Sequence, residues 1–389
     1  MKKNLFFAAA IAAVAAAGMT SCSNDEGVEN IANAAAVEAP SKVQFSILQN
    51  NQLATRGVPT TAANWQTQIA DFMVWGYFTP MATGSGVTSG SLYMGTSATV
   101  GTVFNGTGGS YNYANSTKMV YWPAVTAPLN FQAVTPASDA SFSIENVPNA
   151  GLARVTAVVN VPTATADQKD IMFAKVDNQT KESNADYKAP LNFKHGLSQV
   201  VFAGRTASDN IVAELTSVEL HNIYGTGRVG FFGTSSALAS ETTGVAGTTF
   251  SPILLSGAGD LTVSSTTAKN LTAEDGALLM LPQNVTKWAT LPGTPVTPGA
   301  ADLAHNSYMK VHVASVTSNG VTLMSDQDIY IPVEIAWEQG KKYVYTIVFG
   351  QGTGGYDEDG KPLDNMLPIM FTVEQTEWVE ADPQPTVSF

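Results

Sequence analysis

Apolar and polar residues alternate with a period of two along much of this chain. Val43, Phe45 and Ile47 are spaced by Gln44 and Ser46, the pattern of a strand with one face buried. Further strand-like runs span residues 72–78, 155–161, 199–202, 212–220, 309–316, 328–336, 343–349 and 369–373. Gly, Asn, Thr and Pro clusters separate them at the spacing of a β-sandwich. After the leader, no window of twelve residues keeps a 3.6 period, so the pattern predicts an all-β protein without substantial helix. The stretch 177–188 is almost wholly polar and precedes Ala189-Pro190, which puts a domain boundary there, with β-sandwich domains at 57–188 and 189–389.

The first residues follow a different rule. Lys2 and Lys3 precede an alanine-rich apolar stretch from Leu5 to Ala17, short of the about 20 residues that span a bilayer. Residues 1–21 therefore read as a secretory signal peptide and are set aside from the fold. Cys22, the only cysteine of the chain, follows at once, then Ser23, Asn24, Asp25 and Glu26. That arrangement resembles a lipobox, which predicts lipidation of Cys22 and attachment of the precursor to the outer membrane. Ordinary cleavage nearby is the alternative; it would leave an unpaired thiol in an oxidising compartment, with no partner to bridge to. Two or three acyl chains, at about 0.8 kcal/mol per buried CH₂, suffice for firm anchorage.

Composition narrows the function. Charged residues make up 13% of the 389, and the net charge is −13. A nucleic-acid partner is excluded by the lack of clustered Lys and Arg. Catalytic chemistry finds no constellation. His195, His221, His305 and His312 are scattered without a metal-ligand spacing and read as structural. Gly350 to Gly355 fits a phosphate-loop pattern only superficially, because it runs into Tyr356-Asp357-Glu358-Asp359-Gly360 and Pro362 rather than a helix. Asp357, Glu358 and Asp359 lack the spacing of a calcium loop. No catalytic residue, metal or cofactor is therefore predicted. Trp65, Trp75, Tyr77, Tyr111, Tyr113, Tyr121 and Trp122 could form a glycan-stacking platform, but core packing is the commoner fate of such rings.

Two segments are unusual. Residues 48–63 are polar and hold Arg56-Gly57 with Pro59 nearby, the composition of an exposed loop. Arg56 is one of four arginines, with Arg154, Arg205 and Arg228. At the other end, about residues 366–389, Ile369, Phe371 and Val373 alternate and Trp378 follows. Pro383 and Pro385 intervene before Val387 and Phe389 alternate again. An apolar strand at a chain end is a liability unless something covers it.

Several motifs in order resemble the fimbrillin family, the subunits of type V pili. They are Tyr121-Trp122-Pro123 with Leu129-Asn-Phe131-Gln-Ala133 and Pro136; Asp170-Ile-Met-Phe-Ala174; and Leu191-Asn-Phe193-Lys194-His195-Gly196-Leu197-Ser198. Leu281-Pro282-Gln283, the run from Trp337 to Tyr345, and Gly355-Tyr356-Asp357 with Gly360 continue the set. Gly196, Gln132 and the two tail prolines depart from the expected pattern. The resemblance implies two tandem β-sandwiches, Greek-key or transthyretin-like, exported as a lipoprotein. It implies that an arginine-specific, trypsin-like protease cuts between Arg56 and Gly57. Residues 22–56 are then a propeptide carrying a removable first strand, Val43, Phe45 and Ile47. The vacated groove is filled by a neighbour's C-terminal strand, drawn from Ile369, Phe371, Val373, Trp378, Val387 and Phe389. The implied partners are like subunits in a homopolymer, accessory tip and anchor subunits, the protease, and the outer membrane through the precursor's lipid. The resulting expectation is a shaft subunit of an extracellular fimbrium that serves adhesion and biofilm formation. A tip adhesin, or a lipid-anchored glycan-binding protein that never polymerises, are the alternatives.

Overall fold

The apolar run at 72–78 shows why a continuous pattern, and not only an alternating one, can mark a strand. In the computed structural model it is β2 (Asp71–Phe78), buried on both faces. Phe72 and Val74 enter one core, while Met73, Trp75 and Tyr77 enter another. The structure describes residues 41–47, 69–79, 90–107, 110–123, 127–146, 155–183, 185–231, 237–244, 246–288, 306–352, 355–357, 362–363 and 369–378. Among them the only helical elements are three single-turn 3₁₀ segments, and no helix is long and apolar enough to cross a membrane.

β2 lies inside a seven-stranded antiparallel sheet. Its order is β11 (Lys194–His195), β9 (Met172–Gln179), β6 (Leu129–Thr135), β2, β4 (Thr102–Thr107) and β5 (Ser110–Tyr113), with β3 (Leu92–Met94) also on β2. A four-stranded sheet covers one face, in the order β15 (Leu238–Thr242), β14 (Thr226–Phe231), β8 (Val155–Asn160) and β7 (Phe142–Asn146). Phe173 of β9 meets Phe231 of β14 edge to face at 6.3 Å across that layer. The other face receives a parallel pair, β1 (Gln44–Ile47) with β10 (Lys188–Leu191).

The remaining strands form two further sheets. One runs β18 (Lys269–Asn270), β12 (Ser198–Thr206), β24 (Lys341–Phe349) and β25 (Ile369–Glu377), with β19 (Leu278–Met280) also on β12. The other runs β16 (Thr248–Phe250), β13 (Ile211–Ile223), β21 (Tyr308–Ser318) and β22 (Val321–Pro332), with β17 (Thr262–Val263) on β13. A short pair, β20 (Asn284–Val285) and β23 (Ile335–Ala336), completes the set. Val200, Phe202 and Tyr345 share a core with Leu215, Val218, Val311 and Val313, the inward residues of the two sheets. In β13 the inward spacing jumps from Leu215 to Val218 because the ladder shifts register between Leu215 and Ser217, a bulge that reverses the facing.

The polar tract 177–188 supplies the end of β9 and the first residue of β10. Residue 189 therefore lies inside β10. β14 and β15, from the later part of the chain, complete the sheet begun by β7 and β8. Gly196 is required by packing: a Cβ there would stand 2.7 Å from the Ile171 carbonyl oxygen, which accepts a bond from the Gly196 N–H.

Candidate functional site

The site is the seat of β1. Its alternating pattern puts Val43, Phe45 and Ile47 in the first core, at 0%, 4% and 8% exposure. Phe45 is the centrepiece. Its ring meets those of Phe131, Phe104 and Phe72 edge-on, at 5.0, 5.2 and 6.2 Å. Each such pair adds about 0.5–1.5 kcal/mol beyond the burial of area. Removing residues 43–47 would take three buried side chains, worth about 1.5–3 kcal/mol each, out of this core.

Two backbone edges grip the strand. On one side β1 runs parallel to β10, with Gln44 opposite Lys188, Phe45 opposite Ala189 and Ile47 opposite Leu191. On the other, residues 120–122 run antiparallel to it. Val43 N–H donates to the Val120 carbonyl, Trp122 N–H donates to the Ser41 carbonyl, each at 2.9 Å, and Lys42 faces Tyr121. Tyr113 closes the end: its hydroxyl lies 2.6 Å from the Val43 carbonyl and 3.0 Å from that of Val120. Burial pushes the Tyr113 phenol up to about 12, so it remains a neutral donor across the physiological range. The Trp122 indole N–H donates to the Tyr187 carbonyl at 3.1 Å, tying one wall of the seat to the start of the other. The motif Tyr121-Trp122-Pro123 is the signal in the sequence for this wall. Nothing local in the sequence marks Tyr113.

The C-terminal residues expected to act as donors divide. β25 pairs with β24 along its whole length, from Phe349–Ile369 to Lys341–Glu377. Ile369 and Trp378 are buried, and Phe371 packs on Tyr345 at 5.9 Å, while Val373 is exposed. Trp378 N–H donates to the Gly340 carbonyl, and its indole stacks on His195 at 3.9 Å. His195 is itself paired with Asp170, Nδ1 to Oδ2 at 2.5 Å, both side chains buried. Within their own chain, residues 369–377 therefore extend the β24 ladder, with Ile369 and Trp378 as the buried anchors at its two ends. Val387 and Phe389 lie outside the described residues, as do Cys22, Arg56 and Gly57.

The discounted chemistry can be placed as well. His221 bonds Glu219 and Thr249, and burial pulls its imidazole below the usual value. His312 reaches Asp328 at 2.8 Å and Asp326 at 3.2 Å. His305 lies outside the described residues. Among the described residues no group of three His, Cys, Asp or Glu side chains could hold a metal ion. Trp75, Tyr77, Tyr111 and Trp122 are buried, so these rings serve the core; Tyr121 is exposed, and Trp65 lies outside the described residues.

These features define an all-β protein whose first described strand is held between β10 and residues 120–122. A fimbrillin-like family model matches residues 55–365, and the chain belongs to that family, whose members are fimbrial and adhesion proteins rather than enzymes. A fimbrial protein from Bacteroides vulgatus has a similar fold, with TM-score 0.56 and 15% identity over 87% of this chain and 99% of that one. A candidate cell adhesion protein from Bacteroides uniformis aligns at TM-score 0.42 and 14% identity, covering 87% and 98% of the two chains. One from Bacteroides ovatus aligns at TM-score 0.41 and 16% identity, covering 88% and 99%. No curated protein matches. The chain is accordingly a fimbrial or adhesin subunit of the cell surface.

Proposed function

We propose that this chain is a shaft subunit of a fimbria, exported as a lipoprotein through Cys22 and activated by an arginine-specific protease that cuts between Arg56 and Gly57. Cleavage releases Val43, Phe45 and Ile47 with the lipid, and the C-terminal tail of the next subunit refills the seat. Accessory tip and anchor subunits complete the fimbrium outside the outer membrane.

The observation that carries this reading is the seat. Residues 43–47 contribute three buried side chains to the first core, and among the described residues their backbone pairs with β10 and residues 120–122. The polar segment containing Arg56 joins it to β2. Loss of β1 leaves apolar pockets and two unpaired edges, and a neighbour's strand restores both by β-augmentation. Because peptide cleavage is not reversed, exchange proceeds in one direction.

The test is a pair of variants. Arg56→Ala should give a folded, membrane-bound monomer, and deletion of 379–389 should give a folded, cleaved chain that does not extend fibres. Long heat-resistant fibres from either variant would refute the mechanism.

A further inference from the structure

The seat and the tail together restrict how an incoming strand can lie. Resting on the donor-tail reading above, we infer that Phe389 of a second copy takes the place of Phe45 and Val387 that of Val43, the strand running parallel to β10 as β1 does.

The central pocket is lined by the edges and faces of Phe131, Phe104 and Phe72 around the Phe45 ring. Within residues 379–389 the one aromatic ring is Phe389. Val387-Ser388-Phe389 repeats the spacing of Val43-Gln44-Phe45, so ring and aliphatic group fill their pockets together. The prolines then choose among registers. In this one, Val387 supplies the N–H that Val120 accepts and the carbonyl that Tyr113 binds, the roles Val43 now fills. Thr386 stands at Lys42, and Pro385 stands at Ser41, whose carbonyl accepts from Trp122 N–H. A proline keeps that acceptor and loses only a donor.

Other placements fail on the same groups. Sliding the tail two residues forward puts Pro385 at Val43, where an N–H is required, and Phe389 in the pocket of Ile47. Sliding it two back takes Phe389, the one ring within residues 379–389, out of the ring pocket and into that of Val43. Reversing the strand with Phe389 still central moves Val387 to the Ile47 position and strips residues 120–122 of their antiparallel partner. The proposed register assigns no residue of 379–389 to the Ile47 pocket.

The register is read by cross-linking. The native cysteine, Cys22, leaves with the propeptide, so a processed chain carries no other thiol. Gln44 lies opposite Lys188 and Ser46 opposite Pro190. Neighbouring strand positions of this kind fall within the Cα separation a disulfide tolerates. Full-length chains carrying Ser388→Cys with Lys188→Cys, or Ser388→Cys with Pro190→Cys, are processed, allowed to polymerise and oxidised. The account expects a ladder of covalent multimers from the Lys188→Cys pair, at least tenfold above the Pro190→Cys pair. A dominant ladder from the Pro190→Cys pair means a shifted or reversed strand and overturns the register alone. Fibres that give no ladder with either pair overturn it too. Failure of the processed wild-type chain to polymerise, or its full polymerisation after deletion of 379–389, overturns the donor reading beneath it.

Discussion

Phe45 carries more of the first core than any other residue of β1, because three aromatic rings are arranged around it. Phe45→Ala should destabilise the unprocessed chain by about 3–5 kcal/mol, read as a lowered urea midpoint. The processed subunit has lost residue 45, so the fibre made from the same variant should match wild type in stability. An unaffected precursor would contradict the packing role. Tyr113 gives a second test at this scale. Its folded value, about 12, lies above the ordinary phenol value of about 10, so the fold favours the neutral form. That contribution is fully present below about pH 10 and is lost as pH rises toward about 12. Between pH 9 and pH 11 the wild-type precursor should lose more stability toward urea than Tyr113→Phe; equal losses would show that the phenol does not hold β1. The period-two pattern made Val43, Phe45 and Ile47 legible in the sequence. Tyr113 was not, because its role depends on carbonyls at residues 43 and 120, which only the folded chain brings to its hydroxyl.

At the scale of elements, the two ends of the described chain behave differently although both alternate. β1 is short and lies between two edges, whereas β25 pairs with β24 over nine residues and is pinned at both ends by Ile369 and Trp378. Between those pins, Thr372 to Glu377 are exposed. Trp378→Ala should remove the stack on His195, cost about 3–5 kcal/mol and speed amide exchange across Thr372–Glu377. Unchanged exchange there would mean that the backbone ladder alone holds the strand. Alternation identified Ile369, Phe371 and Val373 as a strand but could not say whose sheet it joins, since pairing with β24 is a non-local choice. The hairpins of β3 to β5 and of β14 and β15 were missed for a related reason: their Gly, Ser and Thr content reads as turn, and packing against neighbouring strands outweighs that local preference.

For the whole molecule, the all-β class and the run of strands through the C-terminal half were legible because each buries one face. The interleaving around residue 189 was not, since a polar tract signals exposure and not where the chain goes next. The architecture also bears on processing. Arg205 lies within β12, and Arg228 lies within β14, where it pairs with Glu145 at 2.6 Å. A low dose of an arginine-specific protease should therefore cut the folded precursor first at Arg56, ahead of both; first cleavage at either strand arginine would argue against the activation loop. The most direct test of the central claim is the N-terminal residue of subunits in purified fibres. Strand exchange after processing predicts Gly57, with residues 41–47 absent from the polymer. Fibres whose subunits still begin at an acylated Cys22 and retain Val43, Phe45 and Ile47 would contradict it.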